Sequence, residues 1–117
     1  MMRKFVQAFH VPGTLSADLA IVWTAPSPCQ LVHVSAVGSN ANSGLITIGT
    51  TSDTDAYLES ASIGDSNVPV EFDLDDFVGD QYPDIADGDV LEIVLDHDGA
   101  TGTATDDFTV VLTFVEG

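Results

Sequence analysis

Hydrophobic residues in this chain recur at every second position, in short segments cut by turn residues. Residues 108–115 set Phe108, Val110, Leu112 and Phe114 on one side and polar or smaller residues on the other. Residues 90–95 do the same with Leu91, Ile93 and Leu95, and residues 19–24 with Leu19, Ile21 and Trp23. A period of two is the signature of a strand with one buried face. Turn signals return every 8 to 15 residues or so, the spacing of a sandwich or barrel. No segment holds an apolar 3.6-residue period long enough to compete as a helix.

The remaining segments fit the same scheme. Residues 5–11 predict a strand that ends at Pro12-Gly13. Residues 30–37 are nearly all apolar or small, which predicts a central strand covered on both sides. Residues 38–44 read as a loop, 45–49 as a short strand and 50–55 as a polar connection. Residues 57–63 fit a strand or a helical turn. Residues 68–74 alternate, which places Val68, Val70, Phe72 and Leu74 inward and Glu71 and Asp73 outward. Residues 75–86 form the longest irregular stretch, and 97–106 form a Gly/Thr/Asp loop. The prediction is one all-β domain over residues 1–117, a jelly-roll-like sandwich of two sheets with about eight antiparallel strands. The first and last strands should pair, with the two termini at opposite ends of adjacent strands.

Charge narrows the function classes. The 117 residues carry 19 acids against two bases, a formal charge of −17. Fifteen of the acids are Asp, and both bases, Arg3 and Lys4, stand at the start of the chain. Binding nucleic acid or an anionic membrane needs Lys or Arg to neutralise phosphates, so neither is an expected partner. No apolar stretch approaches the ~20 residues that cross a bilayer as a helix. The start of the chain lacks the form of a secretory signal, because Gln7, His10 and Pro12 interrupt it and no small-residue cleavage site follows. The expectation is synthesis in a cytoplasm. An acidic surface also serves solubility, the bland reading of the same composition.

Candidate chemistry is sparse. The acids cluster in loops, and Ca²⁺ takes loop carboxylates. Asp96 and Asp98 are the nearest to a Ca²⁺ site, in Asp96-His97-Asp98-Gly99, but the rest of an EF-hand loop is missing. No cofactor is expected. Paired carboxylates for glycoside hydrolysis need a cleft with aromatic platforms, and Trp23 alternates with core residues instead. His10, His33 and His97 lie in separate segments without zinc spacing. Cys29 has no basic neighbour in sequence to activate it. The glycine-rich loop at 38–44 has no Lys and opens no helix, so it is no phosphate cradle. The chain is expected not to be an enzyme.

Several stretches resemble small structural proteins of tailed bacteriophages. They are Trp23-Thr24-Ala25-Pro26, the run Cys29-Gln30-Leu31-Val32-His33-Val34-Ser35-Ala36-Val37-Gly38-Ser39-Asn40-Ala41-Asn42, Ile63-Gly64-Asp65, Val68-Pro69-Val70-Glu71-Phe72 and the end from Phe108 to Gly117. The resemblance implies a virion component, a head decoration or cement protein that docks on the capsid exterior. It implies the major capsid protein and neighbouring copies, often as a trimer, as partners. Arg3, Lys4 and Phe5 are the candidate docking residues, since this end alone attracts an acidic patch. The other reading is a carbohydrate- or host-surface-binding module of a fibre or tail tip, with Asp-rich loops and Ca²⁺.

Overall fold

The last strand organises the molecule. A computed structural model describes residues 3–116. In it β9 (Asp106–Glu116) lies between β1 (Lys4–Thr14) and β3 (Cys29–Val37), antiparallel to both. Its Phe108, Val110, Leu112 and Phe114 are fully buried. Opposite them sits a second sheet of β2 (Leu19–Thr24), β8 (Val90–Asp96), β4 (Leu45–Gly49) and β5 (Leu58–Ser62), in the order β2-β8-β4-β5. Leu91, Ile93, Leu95, Ile46 and Ile48 face inward from that sheet. Burying such side chains contributes roughly 1.5–3 kcal/mol each, which makes this double layer the main source of stability.

The first sheet runs β1-β9-β3-β6, with β6 at Val70–Phe72, and β7 (Asp84–Ile85) pairs with the start of β3. The antiparallel pairs are therefore nested: β1 with β9, β2 with β8, β3 with β6, β4 with β5. One long hairpin has been rolled across two sheets, which is the jelly roll. The expected two-sheet all-β sandwich is what the chain forms, with nine strands among the described residues rather than about eight. Among the described residues the helical content is one 3₁₀ turn, Val78–Asp80.

Three details differ from the sequence reading, and one alternative is decided. Lys4 stands opposite Val115, and the Glu116 N–H donates to the Arg3 carbonyl at 2.8 Å. The start of β1 and the end of β9 therefore lie side by side, because antiparallel pairing joins the start of one strand to the end of its neighbour. Next, β3 is central, but among the described residues no third layer covers its outer face. Its apolar run spans both parities because a bulge between Leu31 and His33 switches the inward phase from Leu31 to Val34. Residues 57–63 settle as the strand β5.

The largest difference is at 68–74. There Phe72 alone is buried, while Val68 is 67% exposed and Val70 and Leu74 are also exposed. Ser66 and Asn67 turn the chain at positive φ, and Pro69 lacks a ladder N–H. Asp76 then accepts a hydrogen bond from the Asp73 N–H at 2.9 Å and turns the chain away. The core volume goes instead to Phe77 and Ile85, both 2% exposed, from the stretch that reads as irregular.

Candidate docking surface

The start of β1 divides by parity. Arg3 precedes the strand, and its Nε lies 3.2 Å from Glu116 Oε2 with the Arg side chain 78% exposed. An ion pair so wet contributes little. Lys4 points outward. Phe5 points the other way, stacked on Phe114 at 5.0 Å and tilted against Trp23 at 6.2 Å. The three candidate docking residues thus point to opposite sides of the sheet, yet all three reach one depression at its edge. Arg3 and Lys4 are available at the surface, and Phe5 belongs to the rim of the core. Arg3, Lys4, Phe5, Gln7, Pro26, Ser27 and Glu116 line that depression, of about 280 Å³.

The acids are segregated along the chain. Asp18 is the sole acid before Asp53, so β1, β2, β3 and β4 carry none. All four of these strands border β8 or β9, and the consequence on the outer face of the β1-β9-β3 layer is direct. Its cross-strand rows run Lys4-Val115-Gln30, Val6-Thr113-His33, Ala8-Val111-Ser35 and His10-Thr109-Val37. None of these positions is acidic. The face is built from β-branched and small residues with Lys4, His10 and His33 as its ionisable groups. His10 Nδ1 lies 2.7 Å from Thr109 Oγ1. Acids enter at its borders, where Glu71 meets His33 at 3.1 Å, Asp84 accepts from Gln30 at 2.8 Å, and Asp107 lies at the start of β9 between Gly13 and Ser39. Lys4, Val32, His33, Tyr82, Thr113 and Val115 line a shallow depression of about 540 Å³ on this face.

The acidic loops form structural clasps. Asp98 does not join Asp96 around a common point: it accepts the Thr101 hydroxyl at 2.6 Å, and its N–H donates to Asp96 at 3.1 Å. Among the described residues the group that converges is Asp18, Asp96 and His97, with ligand atoms within 4.8 Å of one another. Asp18 Oδ1 lies 2.7 Å from His97 Nδ1 and accepts the His97 N–H at 3.1 Å. These contacts hold the Asp18 carboxyl below its usual range. Three donors, one a nitrogen already engaged by Asp18, fall well short of the six to eight oxygens Ca²⁺ takes. The pair ties the β1–β2 turn to the β8–β9 loop.

Other sequence candidates resolve in the same way. Asp107 accepts from the Gly13 N–H at 2.7 Å and from the Ser39 hydroxyl at 2.8 Å, which holds its carboxyl down. Asp53 is held up by a hydrogen bond to Asp55, but in an exposed turn rather than an apolar cleft. Trp23 stacks on Phe114 at 4.7 Å. Cys29 is buried, and burial with the nearby Glu116 charge pushes its thiol up, away from reactivity. In loop 38–44, Asn40 bonds the Ala104 carbonyl at 2.8 Å and the Asp106 N–H at 3.0 Å, so the loop fastens neighbouring chain.

No family model matches the chain, and no curated protein matches it. Among solved structures, a chain of the "Cyanophage Pam1 capsid asymmetric unit" matches with a TM-score of 0.62. It is 11% identical, over 99% of this chain and 85% of that one. The likeness is one of fold, and it spans both sheets. Sequence reasoning missed the acid-free face. Its signal was legible as the absence of acids from the first 52 residues apart from Asp18, but the face exists because β9 brings β1 and β3 to its two sides.

Proposed function

We propose that the chain is a structural, non-enzymatic virion protein that decorates the outside of a tailed-phage head and stabilises it. The observation that carries this reading is the acid-free β1-β9-β3 face on a body of charge −17. Such a body is repelled by packaged DNA, which favours the exterior of a shell. A flat, β-branched face without like charge can lie against a shell protein. The likeness in fold to a chain of a cyanophage capsid, and the resemblance of several stretches to phage structural proteins, support the same reading. Arg3 and Lys4, at the border of that face, would meet an acidic patch of the major capsid protein.

Electron microscopy of the virion tests the proposal. Density for this jelly roll is expected on the outer surface of the head, and heads lacking it should burst at a lower temperature. Density confined to a tail tip or fibre, or an unchanged bursting temperature, would overturn it. Chelator should leave the protein on the head, whereas Ca²⁺-dependent glycan binding would be lost in chelator. Arg3→Glu with Lys4→Glu should lower the copies per head, most at low salt where charge is least screened.

A further inference from the structure

The free edge of β1 is a self-complementary strand, and we propose that two copies of this chain pair there, antiparallel about a two-fold axis at Gln7. Among the described residues β1 pairs with β9 alone. The ladder fixes which backbone groups are free. The Arg3 carbonyl accepts from Glu116, and bonded pairs alternate along antiparallel strands. Phe5, Gln7 and Phe9 therefore spend their backbone groups on β9, and Lys4, Val6, Ala8 and His10 turn theirs to the open edge. The window is closed at its far end, because Pro12 has no N–H and a bulge with Gly13 at φ +83° follows. What remains is symmetric about Gln7. Pairing two copies there sets Lys4 opposite His10 and Val6 opposite Ala8, each an exchange of two hydrogen bonds.

Charge selects the occupant. A surface meant for a basic partner would carry acids, and β1 has none among 19 in the chain. It carries Lys4 and follows Arg3, so two copies can approach along this strand without the repulsion that the acidic remainder of the surface imposes. The antiparallel register brings Arg3 and Lys4 of one copy beside the end of β1 in the other, where Asp107 holds Gly13. The complementarity occurs twice by symmetry. The contact also covers Val6, which is 55% exposed in the single chain. Edge strands elsewhere are commonly blunted by charge, proline or shortness. Here Lys4 and Pro12 stand at the two ends of the window and leave its middle open.

The test is read on the isolated full chain, so its failure leaves binding to heads untouched. Light scattering behind gel filtration should give twice the 12.3 kDa chain mass. Amide exchange at Lys4, Val6, Ala8 and His10 should slow as concentration rises. Ala8→Pro removes one edge-facing N–H without touching the β1–β9 ladder and should weaken pairing at least tenfold, with an unchanged melting temperature at dilutions where both proteins are monomers. If that variant does not fold, Val6→Glu on the exposed face is read in its place and should do the same. A monomer at all concentrations, a trimer (the state the phage resemblance implies), or a variant that pairs as tightly as the parent would overturn the two-fold strand pairing.

Discussion

Phe114 sits where the two sheets meet at the β1 edge, fully buried and stacked on both Phe5 and Trp23. Phe114→Ala should cost about 3–5 kcal/mol in denaturant unfolding, since the neighbouring rings cannot collapse into the space. Cys29, buried and with its thiol pushed up, should resist a thiol reagent in the folded protein and react at once in denaturant. Asp107 gives a pH-dependent case. Its folded carboxyl is held below the ordinary aspartate value of 3.8 by the Gly13 N–H and the Ser39 hydroxyl. A depressed carboxylate stabilises above its unfolded pKa, and that contribution is lost as pH falls through the folded one. Asp107→Ala should therefore lower the melting temperature at neutral pH, and the gap to the parent should narrow below pH 3.8.

Elements differ in how firmly they are held. β9 and β3 have neighbours on both sides and bury their inward residues completely, apart from traces at Cys29. β6 holds β3 through three residues and buries one side chain. Amide exchange should be slowest in Val110, Leu112 and their partners on β3, Ala36 and Val34, and much faster across residues 68–76, because local opening follows buried contact. The β4–β5 turn depends on close backbone approach. A Cβ at Gly49 would run into the Asp53 carbonyl oxygen, so Gly49→Ala must push the turn apart. It should destabilise by more than the ~1 kcal/mol that a Gly/Ala exchange itself can contribute.

At the scale of the whole molecule, charge matters most. A body at −17 repels itself, and the repulsion is screened within about 8–10 Å at physiological salt. Thermal stability should therefore rise from low salt to moderate salt, read by calorimetry. A flat response would mean that the charges are already spread too widely to matter. The same segregation leaves the β1-β9-β3 face free of acids, so the protein can be strongly anionic and still approach a partner on one side.

Strand identity and facing were readable wherever the alternation was local. Residues 19–24 and 45–49 match their strands residue for residue, and the four inward positions of β9 are those the period of two marks. This works because a strand's burial phase is set by its own backbone geometry. The phase is lost where the chain leaves that geometry: at the bulge of β3, at the positive-φ turn before β6, and in the stretch that supplies Phe77. Those outcomes depend on which neighbour fills a volume, and no window of sequence carries that. The candidate surface shows the same division. The sequence by itself determined that the acids would avoid the first four strands and that two cations would stand at the chain start. Only the tertiary structure decided that Phe5 turns inward, that Asp18 rather than Asp98 meets His97, and that β9 joins β1 and β3 into one acid-free face with an open edge. The reason is that a face is a property of register between strands distant in sequence, fixed by packing across the sandwich.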